Sequence, residues 1–213
     1  MRHLCSSFEL RQQWSYNNQM YMLGSYIISK YARMTYPRFA MERIFHRLNM
    51  TSTMFSESEA SKDGKLTQSW TKFKRRIPTW FSDEQVLLNV GAGGVISNVE
   101  DLTQWLTTLI NSGIYPPTNE TVIPESVISE VTTNHAVIHG KSSGLFGSVM
   151  GYGMGWMRTS LKGHEIVYHT GGIPGFSTIV GFMQNYRSVD IVFSDLSVPL
   201  TPRRYRGASI GRL

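Results

Sequence analysis

The sequence predicts an α+β fold in which a helical region precedes an antiparallel sheet. Up to about residue 144, apolar side chains recur at helical spacing, whereas residues from about 145 to 197 form short runs of aromatic and β-branched residues broken by Gly and Asn. Helices first and strands last are typical of α+β proteins. A chain of 213 residues, 41% of them hydrophobic, is long enough to bury a core.

The first two predicted helices lie between residues 18 and 48. Residues 18–34 place five apolar residues on one face at helical spacing, namely Met20, Leu23, Ile27, Ile28 and Tyr31. A second helix is expected to begin at Pro37, because proline is favoured in a first helical turn. Its predicted buried side chains are Phe39, Ile44, Phe45 and Leu48.

Two more helices are predicted further along. The stretch GAGGVIS is interpreted as a glycine-rich turn into the third helix, with Ser97 and Glu100 in a capping-box pattern. Apolar residues then follow at core spacing, and Gly113 is the expected stop. The fourth helix is predicted from Pro124 to about Thr133.

The last part of the chain predicts four antiparallel strands. Their sequences are GYGMGWMRT, HEIVYHT, FSTIVGFMQ and SVDIVFSDL. Gly151, Gly153 and Gly155 resemble a dinucleotide loop in spacing, but that loop needs a helix after it, and a second strand follows here. Residues 198–213 lack apolar periodicity and are predicted to be a loose tail. The expected organisation is one domain over residues 1–213, and it is expected to be incomplete for the reasons given below.

Charge and composition exclude several other classes of protein. The net charge is +6, with two basic clusters. They are Lys72, Lys74, Arg75 and Arg76, and then Arg203, Arg204, Arg206 and Arg212. They carry no helical stripe or nucleic-acid motif, so solvated loops are expected and no nucleic acid is predicted as a partner. No apolar run approaches the ~18 residues of a membrane span. The single cysteine, Cys5, excludes an internal disulfide and a cysteine-based zinc site.

Two short patterns resemble catalytic motifs but are rejected. His135 and His139 lie four residues apart, yet a zinc protease would need Glu after the first His and a helix, and Ala136 stands there. Ser69 and Lys72 match Ser-x-x-Lys, the nucleophile pattern of penicillin-recognising enzymes. Their surroundings are charged, whereas a nucleophilic serine needs its lysine desolvated and held against it.

Four pieces of the chain, taken in order, resemble the serine β-lactamase and penicillin-binding-protein-like family. They are residues 14–55, with YNN at Tyr16–Asn18 and IFHRLNMTST at 44–53; GAGGVISNVEDLTQWL at 91–106; YGMGW at 152–156; and HTGGIPGFST at 169–178. The likeness is greatest to the class C type and its esterase and D-aminopeptidase relatives. It implies a β-lactamase/transpeptidase-like fold.

The resemblance implies roles for six residues. Tyr16 matches the tyrosine that activates the nucleophile and protonates the leaving group, a role that needs nearby cations to lower the tyrosine pKa. Asn18 matches the amide that orients the substrate carbonyl. His169-Thr170-Gly171 matches the Lys-Thr-Gly strand beside the substrate, and Gly172 matches the residue whose backbone N–H helps to form the oxyanion hole. Taken singly, each of these residues also has a purely structural explanation. Tyr16 could pack on Trp14, Asn18 could be a helix N-cap, and the glycines could form an ordinary hairpin.

Two departures from the family pattern limit what the resemblance implies. The family's Ser-x-x-Lys lies upstream of the tyrosine motif, and residues 1–13 resemble the stretch that leads into that motif. We therefore expect the N-terminal part of the fold, including the nucleophile, to be missing and the chain to be inactive alone. His169 also replaces a lysine, a permanent cation, which makes β-lactamase activity itself doubtful.

The function implied is ester, amide or peptide hydrolysis through a serine acyl-enzyme, on a small-molecule substrate. No cofactor and no metal site are predicted. An uncovered sheet face would favour self-association. The alternative is a non-catalytic binding or structural remnant of the same fold.

Overall fold

The computed structural model describes residues 5–62, 64, 66–71, 73–78, 83–142 and 147–194. Within these ranges it shows helices packed on an antiparallel sheet, which confirms the predicted fold class. The predicted tail at 198–213, Lys72 and the second basic cluster lie outside the described residues. No helix in the described part of the chain is long and apolar enough to cross a membrane.

The helices come first, interrupted by two short hairpins. They are α1 (Asn18–Ala32), α2 (Tyr36–Ala40), α3 (Glu57–Lys62), α4 (Asp83–Gly93), α5 (Val99–Ile110) and α6 (Glu125–Thr132). A π turn at Met41–Phe45 and a 3₁₀ turn at His46–Leu48 continue α2. The hairpins are β1 (Ser69–Trp70) with β2 (Arg76–Ile77), and β3 (Ile114–Tyr115) with β4 (Glu120–Thr121).

The main sheet has six antiparallel strands among the described residues, in the order β10-β9-β8-β7-β6-β5. They are β5 (Ala136–His139), β6 (Met150–Tyr152), β7 (Met157–Leu161), β8 (His164–Ile173), β9 (Phe176–Met183) and β10 (Ser188–Ser194). The prediction of four strands was wrong in two places. The stretch GYGMGWMRT contains the end of β6, a turn and the start of β7. Residues 136–139, which were not predicted to be a strand, form the edge strand β5.

Glycines in β6 and in the turn after it are required by close packing. A methyl group built on Gly151 would lie 2.2 Å from the side chain of Asn134, and one on Gly153 would lie 2.2 Å from the carbonyl oxygen of Val131. The segment that ends α6 therefore approaches these positions so closely that only glycine fits. This contact explains the Gly-x-Gly spacing without a dinucleotide.

Three helix predictions need correction. Gly91–Gly93, the first three residues of GAGG, are the C-terminal end of α4 rather than a simple turn, and α4 itself was missed. The N-cap of α5 is Asn98, which accepts the backbone N–H of Asp101, while the Ser97 hydroxyl bonds that of Thr53. The predicted apolar face of α1 is also not buried, and Ser25 is its buried residue. Its exposed members are Met20, Leu23, Ile27 and Tyr31.

The core forms two clusters on either side of α5. Leu106 and Leu109 of α5 pack on Val167 of β8 and Phe182 of β9, residues paired across the two strands. The second cluster joins the π and 3₁₀ turns after α2 to α4, and its buried members include Phe45, Leu48, Met50, Phe55, Val86 and Val90. Burial of the apolar side of α5 against the sheet fixes the face of β8 that looks inward.

The helices α4 and α1 pack closely on each other. A methyl group built on Gly91 of α4 would lie 2.4 Å from the carbonyl oxygen of Tyr21 and 2.7 Å from Cβ of Ser25, both in α1. The two backbones therefore approach closely at this point. The contact lies one to two turns after the start of α1, near the residues that follow Tyr16.

Candidate active site

The segment that enters α1 lies against side chains of β6 and β8. Asn17 is the N-cap of α1, and its side chain accepts the backbone N–H of Gln19, which sets the direction in which the chain enters the helix. Tyr16 lies immediately before this cap. Its ring centroid is 5.8 Å from that of His169 in β8. The structure thus brings together two residues to which the family resemblance gave roles, although they lie 153 positions apart in the sequence.

An aromatic cluster surrounds the pair. Tyr152 of β6 lies 6.3 Å from Tyr16 and 6.1 Å from His169, both measured between ring centroids. Trp14 packs 5.4 Å from Tyr152 and 6.3 Å from Tyr16. Beside the cluster is a cavity of about 250 Å³. Its lining residues are Trp14, Ser15, Tyr16, Asn17, Met20, Tyr21 and Tyr152.

The second half of β8 has an open edge. β7 pairs with β8 only as far as Met157 opposite Tyr168, whereas β9 pairs with β8 from Val167 to Ile173. In the described part of the chain, residues 169–173 therefore have a ladder partner on one side only. Backbone N–H and C=O groups of alternate residues along such an edge can bind an extended ligand.

The two glycines of this edge differ in their surroundings. A methyl group built on Gly171 would lie 2.4 Å from Oγ1 of Thr178, its partner on β9, whereas one on Gly172 would meet nothing within 4 Å. Both residues are exposed. Gly171 is thus required by packing within the hairpin, and Gly172 adjoins open space in which a ligand can lie. Thr170, between them and His169, is half-buried.

The electrostatics around Tyr16 do not favour its phenolate. Partial burial and the neighbouring Tyr21 raise the pKa of Tyr16 above its ordinary value of 10.0. The role expected for Tyr16 as a proton-transfer group needs cations that lower its pKa. Burial and Tyr21 act in the opposite direction, and neither supplies a positive charge. Among the described residues, the Tyr16 hydroxyl has no hydrogen-bond partner, and the side chain is 43% exposed. Tyr16 is therefore a neutral phenol open to solvent or ligand.

His169 is hydrogen-bonded through both ring nitrogens. Nδ1 lies 2.7 Å from the carbonyl oxygen of Thr170, and Nε2 lies 3.3 Å from the hydroxyl of Tyr152. Burial lowers the pKa of His169 below 6.5, and the bond to Thr170 opposes this effect only in part. At neutral pH the ring is uncharged, so it cannot replace the cation of a lysine at this position.

Asn18 is not brought into the aromatic cluster. It is the first residue of α1 and is exposed, and the capping role considered for it belongs to Asn17. The predicted role of Asn18 in orienting a substrate carbonyl stays a prediction. Tyr152 and Tyr21 were not among the predicted site residues. Both belong to motifs that carried the resemblance, YGMGW and the start of α1, so the signal was present but no role was assigned to them.

The rejected patterns lie in other surroundings. Ser69 is in β1, not in a helix, and its hydroxyl donates to the carbonyl oxygen of Ile77 at 3.0 Å. Its Lys72 lies outside the described residues. His135 contacts the backbone carbonyl of Glu130. No group of three or more potential metal ligands occurs in the described ranges.

A family model described as Beta-lactamase matches residues 3–212, nearly the whole chain. The chain belongs to the β-lactamase family. This membership fits the order of elements, since the tyrosine motif before α1 and the His-Thr-Gly strand β8 meet at one cleft in the β-lactamase fold seen here.

The chain is also similar to curated relatives in sequence and to solved structures in fold. The chain is 27% identical over 190 residues to "Unguisins hydrolase ungD'" of Aspergillus campestris, an alignment that covers 86% of this chain and 33% of that protein. It resembles the octameric penicillin-binding protein homologue from Pyrococcus abyssi with a TM-score of 0.74 and 21% identity, covering 89% of this chain and 40% of the other. It also resembles a D-stereospecific amidohydrolase from Streptomyces sp. with a TM-score of 0.66 and 22% identity, over 87% of this chain and 51% of that protein. The chain thus spans about a third of the length of the curated relatives it matches.

Proposed function

We propose that the cleft between Tyr16 and residues 169–173 is part of the active site of a serine hydrolase that cleaves ester, amide or peptide bonds through an acyl-enzyme. The single observation that carries this proposal is the 5.8 Å approach of the Tyr16 and His169 rings beside the open edge of β8. The hydrolase and amidohydrolase names of its relatives support the reaction class.

Each residue of the cleft has a chemical task in this proposal. The Tyr16 phenol transfers the proton between the nucleophile and the leaving group. The Gly172 N–H donates to the oxyanion of the tetrahedral intermediate, an interaction that contributes roughly 3–4 kcal/mol to transition-state stabilisation. Thr170 and Gly171 hold the substrate along the strand edge, and Asn18 orients its carbonyl. No cofactor is needed for acyl transfer of this kind.

The nucleophile is proposed to lie outside the 213 printed residues. Ser69 is the one serine that has a lysine three positions after it, and its hydroxyl is engaged by a backbone carbonyl. The raised pKa of Tyr16 is consistent with this, because the described cleft lacks the cation that would activate it. The chain alone is therefore expected to be inactive, as one incomplete domain of a larger active protein.

Labelling with a fluorescent fluorophosphonate tests the proposal. We expect no label on the 213-residue chain, and a label on a version extended upstream through a Ser-x-x-Lys. In that extended version, Tyr16→Phe should slow labelling about 10²-fold or more, because the proton-transfer group is lost, and Tyr26→Phe, an exposed tyrosine of α1, is the matched control. A label on the short chain that Ser69→Ala abolishes would overturn the assignment of the nucleophile.

A second candidate function is a non-catalytic binding protein with the same cleft. The neutral, unactivated Tyr16 and the neutral His169 favour this alternative. Isothermal titration of the short chain with D-amino-acid amides distinguishes the two. Tight binding together with no labelling of the extended version would support binding without catalysis.

A further inference from the structure

Three side chains form a continuous row of hydrogen bonds beside Tyr16 in the candidate site. The Tyr21 and Tyr152 hydroxyl oxygens are 2.8 Å apart, and the Tyr152 hydroxyl lies 3.3 Å from Nε2 of His169. The row continues through the imidazole to the carbonyl oxygen of Thr170, 2.7 Å from Nδ1. It joins α1, β6 and β8, the three elements that meet at the cleft.

The acceptor at the end fixes the direction of every bond in the row. A carbonyl oxygen only accepts, so Nδ1 of His169 must carry a proton. In the neutral ring Nε2 is then an acceptor, and the Tyr152 hydroxyl must donate to it. Since the Tyr152 proton is used in this way, Tyr21 must donate to the Tyr152 oxygen. The tautomer of His169 thus follows from its partners.

The surroundings of Tyr152 keep it a donor. It is only 7% exposed and packs against Trp14 at 5.4 Å and edge-on against Tyr16 at 6.3 Å. Burial, together with Tyr21 and Tyr16, raises its pKa well above the ordinary 10.0, so the hydroxyl keeps its proton at any physiological pH. The rings of Trp14 and Tyr16 thus pack against Tyr152, whose protonated hydroxyl lies within hydrogen-bond distance of Tyr21 and His169.

We propose that Tyr152 is a positioning residue of the site, whose hydroxyl, itself oriented by Tyr21, holds His169 as the neutral Nδ1–H tautomer beside Tyr16. It acts through His169 and does not itself contact a reacting atom. With both nitrogens occupied, His169 offers no free basic nitrogen to Tyr16 and limits the cleft by the face and carbon edge of its ring. The positioning role rests on the proposed function, whereas the row of hydrogen bonds is independent of it.

Histidine ring ¹⁵N NMR on the 213-residue chain tests the proposal, with the His169 signals assigned from a His169→Gln variant. We expect a protonated Nδ1 and a hydrogen-bonded, unprotonated Nε2. In Tyr152→Phe, which keeps the ring and its packing, the Nε2 resonance should move toward that of a nitrogen without a donor. Tyr21→Phe should cause a smaller shift in the same direction, because Tyr152 loses only the group that orients it.

Tyr168→Phe is the matched control. Tyr168 is a buried tyrosine of the same sheet whose hydroxyl bonds the sulfur of Met150, so its loss should leave the His169 signals unchanged. A proton on Nε2 in the unmodified chain, which needs no variant to detect, would overturn the proposal. So would identical His169 signals in a folded Tyr152→Phe chain. Either failure leaves the fluorophosphonate experiment, and hence the proposed function, untouched.

Discussion

At the scale of single residues, the candidate site is defined by neutral groups. A phenol and an imidazole that are both uncharged at neutral pH stand where the family pattern led us to expect a phenolate stabilised by cations. The identity of these residues could be predicted from the sequence, because the motifs retain their order along the chain. Their protonation could not, because it depends on partial burial and, for Tyr16, on the neighbouring Tyr21, which no motif assigned to the site.

Tyr16 should ionise only above pH 10 in this chain. Its pKa is raised because partial burial and Tyr21 both disfavour the phenolate. Phenolate absorbance measured as a function of pH, taken as the difference between the chain and Tyr16→Phe, reports this residue. A component of the difference that titrates below pH 9 would show that a cation reaches Tyr16 and would contradict the expectation.

His169 should make the folded chain less stable as the pH falls below 6.5. Its pKa is lowered in the folded state, so between 6.5 and that lower value the unfolded chain binds more protons than the folded chain. Stability is therefore fully present above 6.5 and is lost as the pH decreases through this window. Thermal melting followed by circular dichroism should show a steeper loss for the chain than for His169→Gln, which cannot titrate. Parallel curves for the two would refute the assignment.

At the scale of elements, periodicity predicted helices that bury an apolar face. It failed for a helix whose sequence is determined by close packing against another helix. The α5 helix was predictable because Leu106 and Leu109 both lie in the core. The α4 helix was missed because it ends in Gly91, Ala92 and Gly93. These small residues add nothing to an apolar periodicity, and glycines in such a run typically indicate a turn. The reason for Gly91 lies in α1, which local sequence does not reveal.

Gly91→Ala should destabilise the chain by about 1–3 kcal/mol, because the added methyl overlaps the Tyr21 carbonyl and Ser25. Gly93→Ala is the control in the same helix, since a methyl there meets nothing within 4 Å and alanine is the better helix former by up to about 1 kcal/mol. Urea unfolding of both variants gives the comparison. Equal stability of the two would mean that α1 and α4 are not in close contact.

At the scale of the whole molecule, apolar side chains of the described residues remain exposed, among them a stripe on α1 and part of one face of the main sheet. The stripe on α1 includes Met20, Ile27 and Tyr31, which are 51%, 45% and 81% exposed. The sheet face opposite α5 carries Ile166, Ile179 and other apolar residues that are only half-buried. Periodicity identified the apolar stripe of α1 but not that the stripe would be exposed, because periodicity shows that a face is apolar and not what covers it.

The exposed α1 stripe should cause the isolated chain to self-associate, because contiguous apolar surface outside the core favours contact between copies. Sedimentation over a range of concentrations should show mass increasing with concentration. Ile27→Lys, which places a charge in the middle of the stripe, should shift the distribution toward monomer. Val127→Lys, at an equally exposed position on α6 (46% against 45%), should not. A monomer that melts cooperatively at every concentration would mean that neither the stripe nor the sheet face drives association, and the expected incompleteness of the domain would lose its main physical consequence.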